Sequence, residues 1–69
     1  MAKDALFDGF ARVARALGNG HRLELVDVLA QGERSVDELA RLIDESTANT
    51  SQHLQVLARA GLGRSRREG

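Results

Sequence analysis

Between Ser46 and His53 the chain reads STANTSQH, seven small or medium polar residues without a formal charge, broken only by Ala48. Hydroxyls, carboxamides and an imidazole at this density offer donors and acceptors together. Such groups suit base edges and phosphate oxygens, where a carboxylate would repel the phosphate. The nine residues that follow, LQVLARAGL, have the pattern of an amphipathic helix end, with Leu54 and Leu57 at helical spacing and Gly61 as a stop. One helix therefore starts with a polar face and finishes in a core. With Leu54, Leu57 and Gly61 inward, a turn of about 100° per residue places Ala48, Asn49, Gln52, His53 and Val56 on the far side. Thr47, Thr50 and Ser51 fall on or beside the inward flank. The helix N-terminus adds free amide donors and partial positive charge.

Three earlier helices are needed to hold this one. The first is expected from about Lys3 to Leu17, with Leu6, Phe10, Val13 and Leu17 at helical spacing. Gly18-Asn19-Gly20 breaks the chain, and Asn19 is a suitable N-cap for a second helix over about 21–31 that Gly32 closes. Ser35-Val36-Asp37-Glu38 has the capping-box pattern and starts a third helix to about Ile43, with Val36, Leu39, Ala40 and Ile43 inward. After the turn Asp44-Glu45-Ser46, the fourth helix runs from Thr47 to Ala60. A short capped helix, a tight turn and a longer second helix over about 35–60 form the outline of a helix-turn-helix. Leu62 with Arg64 and Arg66 suggests a short strand, and Glu68-Gly69 the start of a hairpin turn. A hairpin cut at its tip is expected to be part of a longer protein.

Composition narrows the function classes. Sixty-nine residues make one small domain, and with no cysteine neither disulfides nor thiolate-bound metal can staple it. Proline is absent and the aromatics are Phe7 and Phe10, so the core must be aliphatic and the fold mainly α. The apolar runs are far too short for a membrane span and the N-terminus lacks a signal-peptide core, which makes a cytoplasmic location the expectation. Net charge is zero but unevenly spread: residues 1–45 carry six basic and nine acidic side chains, and residues 46–69 carry four arginines against one glutamate. The basic excess therefore lies with the polar helix and the segment after it. No Ser/Cys–His pair, phosphate-cradling glycine loop or metal cluster is legible, so neither an enzyme nor a cofactor is expected.

In a second respect the residues go beyond an outline. Arg22-Leu23 with Leu29, Glu33 with Val36, Glu38-Leu39-Ala40, and above all Ser51-Gln52-His53-Leu54 followed by Leu57 and Ala60-Gly61-Leu62 resemble the ArsR/SmtB-type winged helix-turn-helix repressors over about residues 16–69. Arg67-Glu68-Gly69 looks like the wing tip, and Ala48-Asn49-Thr50 is similar to the subgroup with a C-terminal rhodanese domain. The resemblance implies a four-helix winged helix-turn-helix DNA-binding domain with a truncated β-wing at 62–69, as a single domain over 1–69. It also implies a homodimer that represses transcription until an inducer binds. Ser35 and Asp37 stand where the family's thiolate metal sensors have cysteines, so that metal site is not expected. Gly20 stands where proline is common, and Gly63 replaces a β-branched residue in the first wing strand.

The leading expectation is a sequence-specific regulator of double-stranded DNA. Thr47, Asn49, Gln52 and His53 would read base edges, with Gln55 near the rim. Thr50 and Ser51, with Arg64, Arg66 and Arg67, would contact phosphates or the minor groove. The alternative from the same residues is an interaction module, in which Leu6, Phe7 and Phe10 on the first helix form an apolar contact surface and no sequence is read.

Overall fold

The computed structural model describes residues 2–62 of the chain. Four helices follow one another: α1 (Ala2–Leu17), α2 (Gly20–Ala30), α3 (Val36–Ile43) and α4 (Thr47–Arg59). Their boundaries are set by local chemistry close to that read from the sequence. The Asn19 side chain accepts from the Arg22 amide and starts α2. At α3 the capping box is complete: Ser35 Oγ accepts from the Glu38 amide at 3.2 Å, and Glu38 Oε1 accepts from the Ser35 amide at 2.9 Å. At α4, Ser46 Oγ accepts from the Asn49 amide at 3.0 Å. Each cap satisfies an amide that the first helical turn leaves without a carbonyl.

The ends are equally explicit. Asp44 closes α3 in the left-handed region at φ 58°, and its amide reaches back to the carbonyls of Ala40 and Arg41. This is a conformation most side chains avoid and Asp tolerates. Gly61, at φ 79°, follows the last turn of α4, and the Leu62 amide donates to the Leu57 carbonyl at 2.7 Å. With Asp44 closing α3 and Ser46 capping α4, the turn between them is fixed from both sides.

The core is small and takes something from every helix. Ala16, Leu25, Leu39, Ile43 and Leu57 are buried in one cluster, with Val26, Val28, Leu29, Leu54, Val56 and Ala60 packed around it. α3 and α4 pack on each other and on α2, while α1 lies against α2 and α4. From α1, among the described side chains, only Ala16 is fully buried; Leu6, Phe7 and Phe10 remain more than half exposed. The expected inward side of α3 is observed, with Leu39, Ala40 and Ile43 buried and Val36 half-buried. The segment expected to form the wing lies, from residue 63 on, outside the described residues, and Arg64, Arg66 and Arg67 with it.

Candidate nucleic-acid interface

Helix α4 presents a continuous exposed row: Ala48, Gln52, Gln55 and Arg59 lie at intervals of three or four residues and all are open to solvent. Thr47 and Asn49 are exposed beside its first turn, and Ser51 is half-buried on the flank. The row has no carboxylate. Its nearest acid is Glu45, in the turn, and that carboxylate is occupied from two sides: Asn49 Nδ2 donates to Oε1 at 2.9 Å, and His21 Nε2 lies 3.1 Å from Oε2. Asn49 keeps its own carbonyl oxygen free to accept. Gln52 and Gln55 have both amide groups available among the described residues.

Two expected site residues sit elsewhere. Thr50, expected at a phosphate, is fully buried and its Oγ1 has no hydrogen-bond partner among the described residues. The reason is its register: Thr50 lies seven residues before Leu57, two helical turns along the same inward row. Removing a buried hydroxyl that makes no bond is favourable, so Thr50→Val should raise stability by about 1 kcal/mol. Urea unfolding of the two proteins measures this directly; a loss of stability would reveal a bond the hydroxyl does make.

His53 is the other. It was expected on the far side, yet it is half-buried and faces α2. Arg22 Nη1 lies 3.3 Å from its Nδ1, and the His21 ring is 5.7 Å away, centroid to centroid. A guanidinium has only donors, so Nδ1 must accept and His53 is neutral with its proton on Nε2. Val56, also expected outward, packs against the core instead.

Burial of His53, followed by its electrostatic interactions with Arg22 and then His21, holds its pKa below the usual 6.5, against the opposing pull of Glu45. The folded state therefore binds its proton less readily than the unfolded chain, and stability rises with pH across that interval. The contribution is complete above about pH 6.5 and is lost as pH falls from there toward the lower folded value. Melting curves at about pH 7.5 and about pH 5.5 should show a fall in Tm for the parent chain and a smaller fall for His53→Gln. Equal falls would remove His53 as the source.

Arg22, at the start of α2, holds three helices together at this corner. Its Nε donates to the Ala16 carbonyl at 2.6 Å and its Nη2 to the Arg15 carbonyl at 3.1 Å, while Nη1 meets His53. One side chain thus closes the C-terminus of α1 and ties α2 to α4. A signal existed: a cation placed just after the Gly18-Asn19-Gly20 break stands within reach of the preceding helix's last carbonyls, where positive charge is favoured.

The fold has counterparts among known proteins. The family profile described as a helix-turn-helix domain matches residues 17–65. The HTH-type transcriptional regulator Rv0324 of Mycobacterium tuberculosis is 48% identical over 67 residues, covering 97% of this chain and 30% of the relative. The cadmium resistance transcriptional regulatory protein CadC homolog of Staphylococcus aureus is 38% identical over 60 residues, 86% of this chain and 50% of that protein. The chain thus spans between about a third and a half of the length of these curated relatives. Among solved structures, a solution structure of the homodimeric winged helix-turn-helix DNA-binding domain of Mb0332 from Mycobacterium bovis, described as a possible ArsR-family transcriptional regulator, superposes with a TM-score of 0.86. It is 48% identical, over 97% of this chain and 62% of that one. With four helices in this order, a doubly capped turn before α4 and a profile match over most of its length, the chain belongs to the helix-turn-helix domain family, in its ArsR-type winged form.

Proposed function

We infer that this domain is a sequence-specific DNA-binding regulator, not an enzyme, and that it acts as a repressor in the cytoplasm, reading the major groove with α4. The observation that carries the reading is the exposed, carboxylate-free row of α4, polar at Gln52 and Gln55 and ending in Arg59, set by a capped turn and backed by a buried opposite face. Gln52 and Gln55 read base edges, with Thr47 and Asn49 at the leading end; a carboxamide can pair both its donor and its acceptor with adenine. Ser51 lies at the side nearest a phosphate. His53 sets the pitch of α4 against α2 through Arg22 and offers at most its Nε2–H. Arg64, Arg66 and Arg67 follow α4 directly in sequence and supply backbone or minor-groove contacts from the wing, the domain running to residue 69.

A single recognition helix makes few contacts, and two joined half-sites bind far more tightly than one. The exposed Leu6, Phe7 and Phe10 of α1 form an apolar stripe suited to a second copy of the chain, and the Mycobacterium bovis neighbour is homodimeric. We therefore assign the working form as a homodimer joined through α1.

The test is selection from a pool of randomised duplexes, followed by anisotropy titrations of the parent chain and Gln52→Ala. A consensus should emerge, and Gln52→Ala should lose about 1–3 kcal/mol of preference at one position of it while non-consensus duplexes bind as before. A pool that yields no consensus, or a variant that weakens every duplex alike, would refute base reading by Gln52.

A further inference from the structure

Beside the C-terminal half of α4 lies an open groove of about 590 Å³, lined by Arg12, Arg15, Ala16, Arg22, Val56 and Arg59. Four arginines from three helices line it, together with one alanine and one valine. In a chain whose formal charge is zero, this is a strong local segregation of positive charge. Among the described residues no carboxylate lies within ion-pair distance of any of the four. Arg22 is fixed in place by the α1 carbonyls, whereas Arg12, Arg15 and Arg59 are exposed. Cations gathered around one groove with no counter-charge in the protein attract an anion more strongly than the same cations spread over open surface.

We propose that this groove seats a phosphodiester of the DNA backbone, with Arg12 and Arg15 of α1 as its principal donors and Arg59 as the link to α4. The proposal rests on the DNA-binding reading above and extends it to a helix to which that reading gave only a dimer contact. Position argues for duplex backbone as the occupant. Arg59 belongs both to the groove and to the exposed row, seven residues beyond Gln52, which is about 10 Å along the helix axis. The major groove is about 12 Å wide, so a helix reading bases at Gln52 brings a flanking phosphate strand near Arg59. Guanidinium also fits the ligand, since its fork can donate two parallel bonds to phosphate oxygens.

The test uses the whole chain and measures affinity for a mixed-sequence duplex by anisotropy from about 50 to about 200 mM salt. For Arg12→Gln/Arg15→Gln the expected result is a loss of about tenfold on every sequence and a log–log salt slope shallower by about 1.8, the value for two lost phosphate contacts. The charge-preserving Arg12→Lys/Arg15→Lys should keep the parent slope. Both pairs are exposed, so an unchanged melting temperature shows that the fold is intact. If the parent chain binds duplex and the glutamine variant keeps its slope and affinity, the groove is not a backbone seat, while the reading of α4 stands. If inorganic phosphate at matched ionic strength displaces the duplex, the groove is a free-phosphate site and the backbone assignment is overturned. If the parent chain binds no duplex at low salt, the DNA-binding reading itself fails and takes the groove with it.

Discussion

Leu57→Ala is expected to destabilise the domain by about 3–4 kcal/mol, enough to leave a substantial part of the chain unfolded at 37 °C. Leu57 is fully buried where α4 meets Ala16 of α1, Leu25 of α2 and both Leu39 and Ile43 of α3. Truncation removes its transfer energy and leaves a void that α2, α3 and α4, with their capped ends, cannot readily close. A domain of this size has a total stability of only several kcal/mol, so one such cavity is a large fraction of it. The control lies in the same chain: Leu23 and Leu42 are about half exposed, at 52% and 50%, and their alanine variants should each cost under about 1 kcal/mol. Urea unfolding followed by helical circular dichroism compares all three. Similar losses at the three positions would show that Leu57 is not the centre of the core.

Arg22→Ala should cost about 2–3 kcal/mol, an unusual penalty for a surface-reaching arginine. Two of its donors satisfy carbonyls in the last turn of α1, and a charged donor there also meets the negative end of the helix dipole. Deleting the side chain leaves the Ala16 carbonyl to find another partner beside a fully buried residue. Arg22→Lys should recover less than half of the loss, because one ammonium cannot reproduce the fork that holds two carbonyls and His53 together. The variant carries a second signature. Removing the guanidinium takes away a charge that opposes protonation of His53, so the pKa of His53 should rise in Arg22→Ala, as read from its ring carbon proton shifts against pH. A marked stability loss with an unmoved His53 titration would separate the helix-closing role from the contact to α4.

The elements were legible in the sequence because their determinants are local. Asn19, the Ser35–Glu38 pair and Ser46 each cap a helix through an amide three residues away, and Gly61 takes the left-handed conformation that only a residue without a Cβ adopts freely. None of these needs a distant partner. The apolar spacing of α3 likewise settled which side of it would be buried. On α4 the same rule gave Ala48, Asn49 and Gln52 to solvent and Leu57 to the core, and the observed burial agrees for these four.

Local rules decided less where a side chain's surroundings come from another helix. Thr50 is polar, and polarity suggested a ligand, but its place in the row of Leu57 put it in the interior. His53 looked like a reader of bases, yet it pairs with Arg22, thirty-one positions earlier in the chain. Arg12, Arg15, Arg22 and Arg59 are scattered through three helices and form a groove only once α1 crosses α4. The sequence by itself determined the helices, their caps and the polar row, since these depend on a few neighbouring residues. Only the tertiary structure decided the rotation of α4 and the company its side chains keep, because packing angles between helices depend on the shapes of all their buried surfaces at once.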